Sequence, residues 1–384
     1  MFNPKLIQKF QSIKTPFYYY DMSLLEENLI ILKKVSSLYN YHIHYALKAN
    51  ANGPILEKIH RYGFGADCVS GNEIKRALRY HFPNDKIVFA GVGKTDKEIN
   101  FALRSRIQCF NCESIQELYV INSLARKYRT IAPVALRVNP DLEANTHHYI
   151  TTGKKDNKFG ITFEDMERIQ EILPELPYIH VQGLHTHIGS QITDLKIFQK
   201  LSLRINDIQQ WFAKKGIYFN HLNLGGGLGV DYHHPDQNRL PEYQKYFQVF
   251  RDNLKVQPDQ KIHFELGRAI VAQCGSLISR VLYVKGSPKH QFVVIDAGMT
   301  ELIRPALYNA FHKIENLTSY GSPKIYDIVG PVCESSDFMG KKVELPETKR
   351  GDLLAIRTTG AYAQVMASRY NLRNLAKAIY SDEL

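Results

Sequence analysis

The sequence has few cysteines and no long apolar run, whereas abundant cysteines and such runs are features of disulfide-rich, secreted and membrane proteins. Only five cysteines occur in 384 residues, and this odd, scattered set favours free thiols in a reducing compartment over a disulfide framework. No apolar run approaches the roughly 18 residues of a membrane span, and the opening MFNPKLIQKFQ lacks the apolar segment of a secretory signal. We therefore expect a cytoplasmic protein without a membrane anchor.

Clusters of like charge are also absent, although basic residues are plentiful. The formal net charge is +11, but no block of five or more Lys or Arg residues and no RNA-binding signature occurs. Nucleic-acid binding is therefore not expected, because it requires basic residues concentrated on one face or segment. The excess charge favours solubility and attraction for an anionic cofactor or small-molecule substrate.

Short apolar runs alternate with helical patterns over the first two thirds of the chain. Ser23 and Glu26 have capping-box spacing before an amphipathic run at 24–38, and further helical patterns cover 113–127 and 197–215. The strand-like runs are 43–47, 65–69, 86–91, 107–111, 134–140, 181–189, 221–227 and 261–267. Eight strands alternating with helices predict a parallel (β/α)8 barrel of the TIM type, with a doubly wound open sheet as the alternative.

The pattern changes to strand-rich runs after the eighth of these strands, at 277–284, 291–296, 325–330 and 353–358. This change predicts a C-terminal β domain, either a barrel or a sandwich. We place the barrel at 23–270 and the β domain at 271–384. The extended segment within 1–22 is expected to join the β domain.

Polar residues at the carboxyl ends of the predicted barrel strands are the candidates for chemistry. Catalytic groups of such barrels stand at this edge, and here it gathers Lys48, Asp67, His187, Glu265 and Arg268, with the glycines Gly225, Gly226 and Gly227. A buried Lys48 is costly to keep as an ammonium, so we expect its pKa to fall and its amine to become nucleophilic. Considered one at a time, these residues also have ordinary structural explanations. Lys48 could be an exposed lysine, and the three glycines could form a tight turn.

Other motifs favour ordinary structure. His185 and His187 form an HxH pair on one strand face, but the other strand ends lack the ligands of a metal site, so no metal is expected. Neither GGGLGV nor GVGKT matches a nucleotide-binding loop. Cys109 and Cys112 form a lone CxxC, which indicates a half-buried strand and turn.

The β domain adds Cys333 and Glu334 in VGPVCESSD, Arg304 and Tyr308 in RPALY, and Tyr362 in GAY. A free cysteine is usually a small hydrophobic residue but can also donate a proton. The guanidinium and phenols could bind carboxylate or phosphate, or form surface ion pairs and a buried core.

Taken in order, these motifs resemble the fold-type III pyridoxal-phosphate decarboxylases, and most closely the diaminopimelate decarboxylase family. The resemblance runs over nearly the whole chain. Its motifs are PFYYYD, YALKAN, GADCVSGNE, FAGVGKT, RVNPD, TGKKDNKFG, HTHIGSQ, NLGGGLGV, ELGRAIVA, DAGM, RPALY, VGPVCESSD and GAY.

The resemblance implies roles for these residues in binding pyridoxal 5'-phosphate. Lys48 would form the Schiff base, His187 would stack on the pyridine ring, and Glu265 would pair with the ring nitrogen. The remaining cofactor contacts would come from Asp67, Ser190, Gly225, Gly226, Gly227, Leu266, Gly267, Arg268 and Tyr362. Leu266 stands where the family usually has proline, and the tail after GAY also diverges.

The resemblance also implies the reaction, which converts meso-2,6-diaminopimelate to L-lysine and carbon dioxide, the last step of lysine biosynthesis. Cys333 would donate a proton and Glu334 would bind the distal ammonium, both within the active site of the partner in a homodimer. The retained carboxylate would be bound by Arg268, Arg304 and Tyr308, with Tyr362 nearby. Rival functions are decarboxylation of ornithine, arginine or carboxynorspermidine, alanine racemisation, and non-catalytic cofactor carriage.

Overall fold

The computed structural model describes residues 2–140, 158–287 and 290–384. Its strands are β1 Phe17–Tyr20, β2 His42–Ala46, β3 Gly65–Cys68, β4 Ile87–Phe89, β5 Cys109–Cys112, β6 Ala132–Arg137, β7 Ile179–His185, β8 His221–Asn223, β9 Lys261–Leu266, β10 Gly275–Ser287, β11 His290–Ile295, β12 Ile314–Asn316, β13 Pro323–Val329, β14 Phe338–Pro346, β15 Leu353–Ile356 and β16 Lys377–Tyr380. Its helices are α1 Pro4–Ser12, α2 Met22–Leu38, α3 Gly53–Arg61, α4 Gly71–Arg79, α5 Asp96–Ser105, α6 Ile115–Lys127, α7 Phe163–Ile172, α8 Leu195–Ala213, α9 Tyr243–Asn253, α10 Arg268–Val271 and α11 Arg304–Tyr308.

The chain forms two compact units. One unit comprises Leu29–Gly229 and Glu242–Gly267, and the other comprises Met1–Asn28, Val230–Pro241 and Arg268–Leu384. The domain limits drawn from the sequence, 1–22, 23–270 and 271–384, stay a prediction. Over the described residues, every helix is too short or too polar to cross a bilayer.

In the first unit, β2 to β9 form a closed barrel of parallel strands. The predicted (β/α)8 barrel is therefore confirmed, and the open-sheet alternative is wrong. Helices cover the outside of such a barrel while side chains fill its interior, so short strands can be buried on both faces. Strand β5 shows this, because all four of its residues, including Cys109 and Cys112, are buried. The half-buried strand expected from the CxxC spacing is wrong for this reason.

At the carboxyl edge of the barrel, helices begin a few residues after the strands end. The hydroxyls of Ser70, Thr95 and Ser114 cap α4, α5 and α6, each accepting a hydrogen bond from a backbone N–H in the first turn. Helix α2 begins at Met22, and Asp21 Oδ1 accepts from the Leu24 N–H at 2.9 Å. The predicted start after Ser23 is therefore wrong, because an earlier carboxylate caps this helix.

The second unit is built on a mixed sheet with the strand order β12-β15-β10-β11-β13-β14. The N-terminal strand β1 pairs antiparallel with β10 and parallel with β16. A hydrophobic cluster that includes Phe10, Phe17, Tyr19 and Ile278 packs at this pairing. The separate β domain expected from the sequence is thus present as a mixed sheet.

Candidate active site

Lys48 lies at the carboxyl edge of the barrel, in a short 3-10 turn, Leu47–Ala49, directly after β2. Its Nζ contacts Oδ2 of Asp67, on the neighbouring strand β3, at 2.5 Å. Asp67 is fully buried, whereas 34% of the Lys48 side chain is exposed. Burial and the nearby Glu265 raise the pKa of Asp67, against the opposing effect of Lys48. The sequence placed these two residues correctly at one edge.

Glu265, on β9, is a carboxylate fixed by three side chains from other strands. Its Oε1 accepts hydrogen bonds from Asn111 at 3.0 Å and Asn223 at 2.7 Å, and its Oε2 lies 3.0 Å from His185 Nε2. Burial would raise the pKa of Glu265, but His185 and Lys48 outweigh it and hold this pKa well below its usual range. The group therefore stays ionised and can pair with a cationic N–H.

His187 lies two residues beyond the end of β7, and the N–H of Gly226 donates to its Nδ1 at 3.1 Å. Burial, with the charge of Arg137, lowers the pKa of His187 to about 3, so the imidazole is neutral. His185 contacts Glu265 instead, so the two histidines of the HxH motif have different partners. Among the described residues, no cluster of three or more His, Cys, Asp or Glu side chains is arranged to hold a metal ion.

The glycine triplet forms the turn after β8, where strand ends crowd together. A Cβ on Gly225 would lie 2.3 Å from the carbonyl oxygen of Thr186, and one on Gly226 would lie 2.0 Å from that of Glu265. Gly225 and Gly227 also have φ of +66° and +110°, which favour glycine. Two of the three amides are already used, because Gly225 N donates to Asn223 Oδ1 and Gly226 N donates to His187. Close packing alone therefore requires these glycines.

Three other predicted cofactor-binding residues stand near these elements in the chain. Ser190 follows Gly189, whose φ is +138°, in the turn after β7. Leu266 is the buried last residue of β9, and Gly267 follows it. Their roles toward a cofactor stay predictions.

The second unit contains a buried cluster of positive charge centred on Tyr232. The Tyr232 hydroxyl accepts from Arg268 Nη1 at 2.5 Å and from Arg304 Nη1 at 3.0 Å. Both guanidinium groups are buried, and Arg268 also lies over the ring of Tyr362 at 4.9 Å. Tyr308 ends α11, the helix that Arg304 begins. The structure thus brings Arg268, Arg304 and Tyr362 together.

Cys333 and Glu334 lie apart from this cluster, in an exposed turn after β13. Glu334 Oε1 accepts a hydrogen bond from the Tyr370 hydroxyl at 2.6 Å. The Cys333 N–H donates to Asn371 Oδ1 at 3.4 Å, and the Cys333 side chain is exposed. These two predicted site residues therefore stand on the surface of this chain.

Several residues in both clusters were missed by reasoning from the sequence. Asn111 and Asn223 orient Glu265, and Tyr232 holds both arginines. A polar residue inside an otherwise apolar barrel strand was the available signal for the two asparagines. No local signal marks Tyr232, because its partners lie 36 and 72 residues away in the chain.

Comparison with known proteins assigns this arrangement to a family. The family described as pyridoxal-dependent decarboxylase, pyridoxal binding domain, matches residues 25–272. Diaminopimelate decarboxylase of Bacteroides thetaiotaomicron is 53% identical over 379 residues, which cover 98% of each chain. The chain belongs to the diaminopimelate decarboxylase family. It is a pyridoxal-dependent decarboxylase, and its cofactor is pyridoxal phosphate.

Relatives of known sequence or structure agree with this family. Diaminopimelate decarboxylase of Vibrio cholerae is 42% identical over 94% of this chain and 85% of its own length. The structure of the Helicobacter pylori diaminopimelate decarboxylase complexed with L-lysine aligns with a TM-score of 0.91 and 38% identity, covering 97% of this chain and 93% of that one. Lysine/ornithine decarboxylase from Vibrio vulnificus, complexed with cadaverine, aligns over 100% of both chains with a TM-score of 0.86 but 20% identity, which shows the shared fold alone.

The barrel residues fit pyridoxal phosphate in chemistry as well as in order. Asp67 Oδ1 and His185 Nδ1 are buried and have no hydrogen-bond partner in the described part of the chain. Such orphaned polar atoms are costly unless a ligand or water satisfies them. Beside them stand a partly exposed amine, Lys48, and an ionised carboxylate, Glu265, which suit an aldehyde and a protonated ring nitrogen.

Proposed function

We propose that this chain decarboxylates meso-2,6-diaminopimelate to L-lysine and carbon dioxide, the last step of lysine biosynthesis. The observation that carries the proposal is the fixed, ionised Glu265 and the partly exposed Lys48 amine at one edge of the barrel. The 53% identity to a diaminopimelate decarboxylase over 98% of the chain supports the choice of substrate. The lysine/ornithine decarboxylase likeness, at 20% identity, does not favour a diamine-forming activity.

The residues of the barrel would hold the cofactor and control its charge. Bound pyridoxal phosphate supplies an electron sink for the negative charge left when a carboxylate departs. Lys48 would bind it through Nζ, His187 would lie against its ring as a neutral imidazole, and Glu265 would keep the ring nitrogen protonated. The other cofactor-binding residues would be Asp67, Ser190, Gly225, Gly226, Gly227, Leu266, Gly267, Arg268 and Tyr362.

The residues of the second unit would select the substrate. Arg268, Arg304 and Tyr308, with Tyr362, would bind the carboxylate that is retained, since paired guanidinium groups suit a carboxylate. Holding that end of the substrate leaves only the carboxylate at the D centre free to depart.

Cys333 and Glu334 would act in the active site of a second copy of the chain. Cys333 would give its thiol proton to the carbon that has lost carbon dioxide, and Glu334 would bind the distal ammonium. Their exposure supports this proposal, as does Leu372, which is 96% exposed beside Asn371, the partner of Cys333. We further propose that the homodimer is cytoplasmic and that the domain limits are 1–22, 23–270 and 271–384.

The substrate assignment is tested by turnover of purified protein loaded with pyridoxal phosphate. We expect release of carbon dioxide and L-lysine from the meso isomer, measured by carbon dioxide capture and amino-acid analysis. The L,L isomer, ornithine and L-lysine are the comparison substrates. Faster turnover of ornithine or L-lysine would show that the substrate assignment is wrong.

Shared active sites are tested by co-expressing two inactive variants. A dimer of one Lys48→Ala chain and one Glu334→Ala chain has one intact site, because the intact Lys48 and Glu334 come from different chains. Co-expression should therefore restore activity. The control is Lys48→Ala with Glu265→Ala, in which both changes lie on the barrel and no intact site forms. Equal activity from the two mixtures would contradict the sharing of sites.

A further inference from the structure

Arg304 is a buried guanidinium whose described hydrogen-bond partners are both neutral. Only 5% of Arg304 is exposed, and its Nη1 donates to the Tyr232 hydroxyl at 3.0 Å and to His312 Nε2 at 2.8 Å. In the described part of the chain no carboxylate pairs with it, and the charge of Arg268 adds to burial in lowering the pKa of Arg304. Burying such a group without a counter-charge is costly unless hydrogen bonds or an anionic ligand compensate.

Tyr232 is arranged as the common acceptor for the two guanidinium groups. A phenol oxygen has two lone pairs and one proton, so accepting from both Arg268 and Arg304 leaves its O–H as a donor. Burial would raise the pKa of Tyr232, but the two arginines outweigh it and lower this pKa below the ordinary value. The phenol thus contacts both cations, and it occupies only Nη1 of Arg304.

His312 holds Arg304 from another side. Since Arg304 donates to Nε2, the proton of the neutral ring is on Nδ1, which donates to the carbonyl oxygen of Arg357 at 2.9 Å. Burial and the charge of Arg304 lower the pKa of His312 to about 3, so the ring stays neutral and its Nε2 stays a hydrogen-bond acceptor at neutral pH. The ring of Tyr232 packs edge-on against His312 at 5.0 Å, so the two acceptors also support each other.

We propose that Tyr232 and His312 are positioning residues that hold Arg304 ready for the substrate carboxylate and so set affinity for carboxylate-bearing ligands. This inference rests on the proposed function, in which Arg304 binds the retained carboxylate. Neither residue touches the reacting atoms in this account. Their loss should therefore weaken binding more than it slows the chemical step.

The first test is Tyr232→Phe, which removes the shared acceptor and keeps the ring. We expect KM for meso-diaminopimelate to rise about 10- to 100-fold, as for loss of a hydrogen bond to a charged group, with kcat changed less than about threefold. The control is Tyr326→Phe, a buried tyrosine of the same unit whose hydroxyl accepts from the Thr348 N–H. This control should leave KM unchanged.

A pair of ligands separates positioning from a general loss of structure. L-Lysine and cadaverine differ only in the carboxylate. The difference between their calorimetric affinities for the cofactor-loaded protein therefore measures what binding of the carboxylate by Arg304 contributes. Tyr232→Phe should weaken L-lysine binding about 10- to 100-fold and leave cadaverine binding unchanged. An unchanged ratio of the two affinities, with unchanged KM, overturns the inference.

A conservative replacement of His312 provides the second test. Glutamine can accept from Arg304 through its carbonyl and donate to the Arg357 carbonyl through its amide, whereas leucine can do neither. We expect His312→Leu to raise KM and His312→Gln to restore most of the affinity. Equal KM values for the two variants would count against the positioning role. A further outcome is that the unaltered protein binds L-lysine more tightly than cadaverine and yet releases no carbon dioxide from meso-diaminopimelate. That result would contradict the proposed function and would still support the positioning of Arg304 for a carboxylate.

Discussion

Two lysines follow strands of the same barrel, and their surroundings differ. The side chain of Lys94, after β4, is 1% exposed. Its Nζ donates to the carbonyl oxygens of Gly91 and Asn111 at 2.8 Å and to Glu117 Oε1 at 2.6 Å. Lys48, after β2, is 34% exposed and contacts the buried Asp67. Three acceptors satisfy all three protons of the Lys94 ammonium. The position of a lysine at the end of a barrel strand therefore does not by itself indicate chemistry.

The largest expected effect belongs to Lys48. Lys48→Ala removes the amine that would bind pyridoxal phosphate, so the purified protein should lose its yellow absorbance and at least about a thousandfold of its activity. Asp67 loses its cation in this variant, but burial already raises the pKa of this carboxyl, so it can be protonated and the unfolding midpoint should fall only modestly. The absorbance spectrum and a urea titration measure the two effects. Retention of full absorbance and activity would contradict the assignment of Lys48.

Lys94 should show the opposite result. Lys94→Met leaves the partly buried Glu117 without its cation and two carbonyl oxygens without their donor, which we expect to cost about 3 kcal/mol of unfolding free energy. Protein that remains folded should still bind the cofactor and show its absorbance. Lys127→Met, an exposed lysine on α6, is the control and should change stability by less than about 0.5 kcal/mol. Loss of absorbance in folded Lys94→Met protein would break the contrast between the two lysines.

The contrast also shows what the sequence could and could not predict. Eight apolar runs separated by helical patterns were sufficient to predict the barrel. Because catalytic groups of such barrels lie at the carboxyl ends of the strands, the prediction placed Lys48, Asp67 and Glu265 at one edge. The GVGKT segment that contains Lys94 does not match a nucleotide-binding loop, and its residue pattern does not indicate a structural role for this lysine. Its structural role depends on Asn111 and Glu117, which the fold brings near from 17 and 23 residues away.

Contacts over long sequence separations account for the remaining omissions. Asn111 and Glu265 are 154 residues apart, and only closure of the barrel makes them neighbours. Local spacing was also misleading at α2, where Ser23 and Glu26 matched a capping box but Asp21 caps the helix. Hydrogen-bond geometry, which a pattern of residue types does not contain, decided each of these cases.

Asn111 links the two lysine environments and allows a sharper comparison. Its backbone oxygen accepts from Lys94, while its side-chain amide donates to Glu265 Oε1 at 3.0 Å. Asn111→Ala removes only the second contact, so we expect kcat/KM to fall about tenfold, equivalent to about 1.4 kcal/mol. The cofactor absorbance should remain, since Lys48 is unchanged. An unaltered kcat/KM would show that Asn223 and His185 orient Glu265 without Asn111.

Buried histidines add a third case to the comparison. The fold keeps them neutral, whereas it keeps Lys94 in an ion pair. His44 and His221 lie inside the barrel, and burial lowers their pKa values to about 4 and about 3. An unfolded histidine binds a proton below about pH 6.5, but these folded ones do not until far lower pH, so unfolding free energy falls as pH decreases from about 6.5 toward 4. Each should cost about 0.7 kcal/mol between pH 7 and pH 6. Urea titrations at the two pH values should show a smaller fall for His221→Asn than for the unaltered protein; an equal fall would mean that His221 is not held neutral by the fold.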